Sequence, residues 1–312
     1  MSVAAASLPP RRCAADLLPL QAEPRHPYAR AVTEPLDNRP PKRPRTNLYL
    51  ESRYRKLQRG LPQTIFWCPV CKGDKRRRRG CTHCEGFGKL TRESVQELIG
   101  RRLIPALKAK AGYFHGAGRE DRDVLMLGHG RPFVFELTGV RQPDQDLEAL
   151  RLEIVARSEG AIELQPFQRV RKERIAYWKQ THVDKIYRAE VTLGGEAAAA
   201  ALAAAGAFAG VIVQRTPQRV AHRRADLDRE RAVQVLELRQ LAPDKLEVRV
   251  LCQHGTYVKE WISGDEARTT PSLASLLGVG CTCTLLDVEE VLTDDMPGPR
   301  LVPATAPARE QP

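Results

Sequence analysis

The stretch Lys185-Ile-Tyr-Arg-Ala-Glu-Val-Thr-Leu193 decides the fold. Tyr187, Ala189, Val191 and Leu193 recur at every second position, so they share one face, and this period of two marks a strand with one covered side. The same alternation returns at Leu246, Val248, Val250 and Cys252. Val233–Leu238, Cys281–Leu292 and Phe133–Leu137 also read as strands. Between them the period changes. Val95, Leu98, Ile99, Leu103, Ala106 and Leu107 follow helical spacing, which predicts an amphipathic helix over about 93–108. Ser94 and Glu97 offer a capping box at its start, and Pro105 a kink or an early end. Long strands with helices between them, but without regular βαβ alternation, imply an α/β (α+β) protein: a mixed, largely antiparallel sheet flanked by helices.

The uncharged run from Ala197 to Val213 could be mistaken for a membrane span. It is mostly Ala and Gly and shorter than the roughly 20 apolar residues a span needs. It reads instead as a packed helix followed by a short strand at Gly210–Gln214. With no apolar stretch suited to a signal peptide at the start, a soluble, cytoplasmic protein without membrane contact is expected. Residues 1–38 and 296–312 are rich in Pro and Ala and read as disordered tails; residues 39–295 form the working domain. Pro40–Arg45 is a basic run that reads as a solvated linker, with an RNA contact or a nuclear address as alternatives. Over the whole chain, 50 Lys and Arg face 38 acidic residues, a net charge of +12, which suits a polyanionic partner.

Of the eight cysteines, four form two knuckles, Cys68-Pro-Val-Cys71 and Cys81-Thr-His-Cys84, nine residues apart. Two CxxC pairs supply the four soft ligands that tetrahedral zinc takes, and an all-thiolate site is closed and structural. A redox reading needs one CxxC at a helix start rather than two facing knuckles. The hairpin, about 66–90, carries Lys75, Arg76, Arg77, Arg78 and Arg79 between the knuckles, a positive prong suited to an RNA backbone or else a solvated turn. His83 is expected to be exposed.

Two further segments carry chemistry. His115-Gly-Ala-Gly-Arg-Glu-Asp121 puts two glycines before a charged triplet, and Gly128-His-Gly-Arg-Pro-Phe133 reads as a second tight turn entering a strand, so the pair frames a cleft floor. Gly255-Thr-Tyr-Val-Lys259 follows a strand and opens a helix, where a lysine can stand beside an acid.

Gly118-Arg119-x-Asp121, Lys185-x-Tyr187 and Gly255–Lys259 resemble, in that order, the three active-site motifs of pseudouridine synthases. Longer segments narrow the resemblance: Arg53–Lys56, Leu61–Thr64, Gly116–Asp121, Arg131–Phe133, Arg215–Val220, His222–Arg224, and Ile262–Glu266 with Arg268-Thr269. Together they are similar to the archaeal and eukaryotic tRNA pseudouridine synthase family that modifies T-arm uridines, over about 46–292. The resemblance implies the pseudouridine synthase fold, with the zinc hairpin as an insertion. It implies tRNA as the partner and Asp121 as the catalytic carboxylate, with Lys259 as its basic partner. Tyr187 would stack on the base or relay its proton. Arg119, Trp261, His222, Arg223, Arg224, Arg76 and Arg77 would bind substrate, zinc would be structural, and no organic cofactor would be needed. The chain departs from the family in its short N-terminal tail, which leaves room for a separate RNA-binding partner. It also has Trp261 where Leu or Phe is usual and Ala267 where Gly is common. A non-catalytic zinc-containing RNA-binding protein is the alternative, against which the intact Asp121, Tyr187 and Lys259 argue. Chaperone-type zinc modules repeat such knuckles several times, and this chain has two.

Overall fold

The computed structural model describes residues 46–301 apart from Arg223 and Asp295. The expected tail at 1–38, the basic run at 40–45, most of the 296–312 tail and the proposed RNA contact Arg223 lie outside the described residues. In chain order the elements are β1 (Thr46–Lys56), α1 (Val95–Ala106), β2 (Ala111–Gly116), β3 (Leu125–Val140), α2 (Leu147–Arg157), β4 (Ile162–Leu164), β5 (Gln168–Val170), α3 (Glu173–Gln180), β6 (Asp184–Leu193), α4 (Ala199–Gly206), β7 (Ala209–Arg215), α5 (Gln218–Ala221), β8 (Asp228–Ala242), β9 (Lys245–Cys252), α6 (Val258–Ser263), β10 (Thr269–Thr270), α7 (Leu273–Leu277) and β11 (Cys281–Leu292).

The strands form one sheet in the order β10-β7-β8-β9-β6-β11-β3-β1-β4, with β2 added to β3 and β5 to β1. The β11–β3 pairing is parallel and the others are antiparallel, so the mixed, largely antiparallel sheet expected from the patterning is present. The alternating residues of β6 and β9 meet across their ladder, Ala189 opposite Val248 and Val191 opposite Leu246, in the main core. The Ser94 hydroxyl accepts from the Glu97 amide and caps α1, while Pro105 is tolerated near its end. The alanine-rich run becomes the eight-residue α4 and then β7, and among the described residues no helix is long and apolar enough to cross a membrane.

One expectation fails. Gly128–Phe133 is not a turn ahead of a strand but lies inside the 16-residue β3. Both glycines have positive φ, +53° and +83°. A Cβ at Gly128 would stand 2.3 Å from the Glu289 carbonyl oxygen, and one at Gly130 would stand 2.7 Å from that of Tyr54. The glycines therefore let β3 pass close between β11 and β1.

The inward row of β1 runs Leu48, Leu50, Ser52, Tyr54 and Lys56, turning from apolar to polar toward its end. That end meets Glu120, whose carboxylate is fully enclosed. The Tyr54 hydroxyl and Arg131 Nε each donate to Glu120 at 2.8 Å, while Lys56 Nζ stands 3.8 Å from it. Gln63 donates to the Tyr54 oxygen at 2.8 Å and to the Gly118 carbonyl at 3.0 Å, and Arg131 donates to the Ala117 carbonyl at 2.8 Å. Lys56 also donates to the carbonyls of Leu61 (2.9 Å) and Asp121 (3.0 Å). Burial raises the Tyr54 pKa well above its usual value, aided by the Glu120 charge, so Tyr54 remains a donor. Replacing Glu120 with Ala strands two buried cations, and the unfolding free energy measured in urea should fall by about 3–5 kcal/mol.

Candidate active site and metal centre

The segment between β2 and β3 is held from beneath by the buried network and turned outward at its next residue. Gly118, with φ +81°, has its ideal Cβ position 3.0 Å from Arg131 Nη1, so the turn lies directly on that guanidinium. Glu120 points in, and the Asp121 side chain is about half exposed (51%). Within the charged triplet, burial therefore falls on Glu120 and not on Asp121. The Val124 amide donates to the Asp121 carbonyl at 3.1 Å, closing a tight turn before β3. Arg59 donates to the Asp123 carbonyl at 2.7 Å and pairs with the buried Asp287 of β11, whose carboxylate accepts from the Leu125 amide.

Two cations from distant parts of the chain reach Asp121. Lys259, in the first turn of α6, stands 3.9 Å from Asp121 Oδ2 and donates to Asp123 Oδ2 at 2.8 Å. The geometry thus brings Lys259 to Asp121 but gives it a second, closer carboxylate. Burial opposes the Asp123 charge, yet the Lys259 hydrogen bond and charge outweigh it and hold that carboxyl below its usual range. Arg219 of α5 stands 3.6 Å from Asp121 Oδ2. Its Nε binds the buried Glu260 of α6, and its guanidinium lies 5.9 Å from the Tyr257 ring centroid. The start of α6 is fixed by Gln214, which accepts from the Tyr257 amide (2.8 Å) and donates to its carbonyl (3.0 Å).

Tyr187 projects from β6 and packs against the core with its ring half-buried. Burial, with the charges of Cys252, Glu120 and Asp121, raises its pKa against the lowering effect of Arg131. It is therefore a neutral phenol at ordinary pH. Its strand neighbour Lys185 is buried and donates to the Val183 carbonyl at 2.7 Å. Trp261 is wholly enclosed in the core. It supports α6 from within, so any contact with a bound base would have to pass through the side chains above it. Arg119, His222 and Arg224 are exposed. Ala267, at the position where glycine was expected, takes φ +63°, following Asp265 and Glu266 at +44° and +56°, a conformation in which a Cβ is unfavourable.

The four knuckle cysteines are buried, with their sulfurs all within 4.8 Å of one another. The Sγ separations of 3.8 Å (Cys68–Cys81) and 3.6 Å (Cys71–Cys84) suit a tetrahedron of metal–sulfur bonds, whose edges are roughly 3.8 Å for 2.3 Å bonds. The two knuckles share one turn, in which the Asp74 and Phe87 amides donate to the Cys71 and Cys84 carbonyls; the bond to the first cysteine differs by one residue, from Lys72 to Cys68 and from Gly86 to Cys81. Lys72-Gly73 and Glu85-Gly86 all have positive φ. The Gly88 amide donates to Cys84 Sγ at 3.1 Å. His83 is exposed, as expected, and so is every residue from Lys75 to Arg79.

Arg219, Asp123, Glu120, Lys56 and Arg131 were not singled out by sequence reasoning as site residues. The polar turn in the inward row of β1 was the available signal for Lys56 and its buried partner. Arg219 lies in the Arg215–Val220 segment of the resemblance, but nothing local marks its contact with Asp121, 98 residues earlier.

An exposed acid on a clamped turn facing two cations, together with a four-cysteine hairpin, defines a basic α+β domain built around one carboxylate. The chain belongs to the family described as Pus10, C-terminal, whose model matches residues 49–292. It is 44% identical over 245 residues to the tRNA pseudouridine synthase Pus10 of Methanothrix thermoacetophila, covering 78% of this chain and 53% of that protein. It is 40% identical over 250 residues to the Pus10 of Korarchaeum cryptofilum (79% and 66%) and 41% over 291 residues to that of Methanopyrus kandleri (89% and 64%). The chain thus spans about half to two-thirds of the length of these curated relatives. Among solved structures, a Cbf5-Nop10-Gar1 complex matches with a TM-score of 0.37 at 17% identity, over 63% of this chain and 45% of that one.

Lys185 gives a pH test of this packing. Burial and the neighbouring Arg131 lower its amine from 10.5 to about 7, against the opposing pull of Asp184 and Cys252. Between these values the unfolded chain binds more protons, so stability rises with pH there. In urea titrations from pH 7 to 10, the stability difference between wild type and Lys185→Met should move in favour of wild type as pH increases.

Proposed function

We propose that this chain isomerises uridine to pseudouridine in the T arm of tRNA, with Asp121 as the catalytic carboxylate. The observation that carries this reading is the placement of Asp121, exposed on an anchored turn and 3.6–3.9 Å from Arg219 and Lys259. A target uridine inside folded RNA has to leave its stack before a protein group can reach the glycosidic bond. The two cations stand against one carboxylate oxygen of Asp121 and aim it. The N1–C1′ bond breaks, the uracil turns, and the C5–C1′ bond forms. N1 gains a proton and C5 releases one.

Tyr187, as a neutral phenol, stacks on the detached base and can hand on a proton but does not act as a phenolate. Arg119, His222, Arg223 and Arg224 contact the RNA around the site, and Arg76 and Arg77 contact its backbone from the hairpin. Trp261 backs the pocket from the core. The relatives are tRNA pseudouridine synthases by name, which supports the substrate class. A tRNA substrate is consistent with a cytoplasmic location.

The metal of the four-cysteine cluster is zinc in this reading, since four thiolates in a closed tetrahedron suit zinc and leave no open position for catalysis. It would stiffen the hairpin and supply no chemistry to the uridine.

Tritium release from a tRNA transcript labelled at uridine C5 tests the activity. Wild type should release tritium and Asp121→Asn none, while both bind the transcript. Release by Asp121→Asn at the wild-type rate would remove Asp121 from the chemistry, and binding without release by either chain would leave an RNA-binding protein. Elemental analysis of the purified chain should find one zinc per molecule, lost together with thermal stability in Cys68→Ser.

A further inference from the structure

Five of the twelve large apolar side chains exposed among the described residues stand on the cysteine hairpin: Phe66, Trp67, Val70, Phe87 and Leu90. No step proposed above uses them. Trp67, 52% exposed, begins the first knuckle. It pairs with Lys89 across an antiparallel bridge at the base of the hairpin, and the Cys68 amide donates to the Gly88 carbonyl at 3.1 Å beside it. Directly paired residues project to the same side. Lys89 Nζ lies 5.3 Å from the centroid of the Phe87 ring, itself 52% exposed, so Trp67, Lys89 and Phe87 share one face.

The Trp67 ring is seated rather than free. A Cβ on Gly73 would stand 2.2 and 2.3 Å from its Cε3 and Cζ3 atoms, so the indole rests directly on the Gly73 backbone. That glycine also has φ +73°, a conformation set by the knuckle. Lys89 is held by Glu97 and by the Arg92 carbonyl. The cysteine knuckles, the glycine and the ion pair thus pre-order two outward-facing rings with a largely covered lysine between them.

The surrounding charge selects the occupant. Residues 66–90 hold seven Lys and Arg against Asp74 and Glu85. An apolar protein face would strip water from those cations without pairing them. An unpaired nucleotide brings a flat apolar base and a phosphate in one unit, the combination that single-strand-binding surfaces take. A base inside a duplex has its faces already covered. We infer that the Trp67–Phe87 face of the hairpin is a stacking platform for an unpaired base of the RNA substrate, separate from the uridine at Asp121. This rests on the RNA-binding part of the function proposed above. The platform is also rooted near the active turn, because Gln63, four residues before Trp67, donates to the Gly118 carbonyl.

Tryptophan emission tests it directly on the full chain, since Trp178 and Trp261 are buried at 6% and 0% exposure and Trp67 is open. An unmodified tRNA transcript should quench wild-type emission to saturation, and a blunt RNA duplex of equal length should not. Trp67→Phe should lose the quench and bind the transcript nearly as wild type. Trp67→Ala should bind on the order of tenfold more weakly with its metal content intact. The inference is overturned if the bound transcript leaves emission unchanged, if the duplex quenches equally, or if Trp67→Ala binds as wild type; a protein partner would then be the better occupant. Should Trp67→Ala lose its metal, the wild-type quench and its absence with duplex still decide. Isomerisation is scored in the same samples. Quenching without tritium release would sink the catalytic reading and leave the platform standing; release without quenching would do the reverse.

Discussion

The enclosed carboxylate of Glu120 is the constraint on which the site depends. An ion this deep is tolerable only when its oxygens are fully met, and Tyr54, Arg131 and Lys56 meet them from two strands. The same donors reach the main-chain carbonyls of Ala117 and Asp121, and Gln63 that of Gly118, so the segment around Glu120 is fixed at nearly every residue. Asp121 is its neighbour and faces the other way. Anchoring the inward acid therefore aims the outward one, and a half-exposed carboxylate can be held in place without burying it.

The cations facing Asp121 come from a different part of the sheet. Lys259 and Arg219 belong to two short helices, α6 and α5, that are joined through the buried Glu260 and fixed by Gln214. Each cation also has a second carboxylate, Asp123 for Lys259 and Glu260 for Arg219. This shared pairing limits how far either is drawn onto Asp121, whose side chain stays about half exposed. Where the Asp121 turn passes into β3, its other end is tied to β11 through Asp287 and Arg59, so the acid and the helices that face it are referenced to adjoining strands.

The cysteine hairpin connects to this arrangement at its root. The strand-to-hairpin segment containing Pro62 and Gln63 accepts from the Val95 and Gln96 amides at the start of α1, while Gln63 itself touches the active turn. The four-cysteine arm is thereby built on the same residues that brace the carboxylate. RNA held by the arm and RNA entering at Asp121 would share one rigid frame.

The period-two patterns of β6, β9 and β11, the capped α1 and the two CxxC knuckles were legible in the sequence because each signal is local: side-chain alternation, a cap three residues long, ligand spacing within one turn. Asp121, Tyr187 and Lys259 were picked out only by their resemblance to family motifs, and the fold brings Lys259 to within 3.9 Å of Asp121. What the sequence could not specify was which of three adjacent charged residues, Arg119, Glu120 or Asp121, would be buried, or that β3 would run unbroken through two glycines. It also could not specify that Arg219 would face an acid nearly a hundred residues earlier. Those outcomes depend on which groups the folded sheet brings within hydrogen-bonding distance. The sequence determined the elements and the chemistry they carry; tertiary structure alone decided which charges are enclosed and which are presented, because desolvation and pairing act between residues that only the fold makes neighbours.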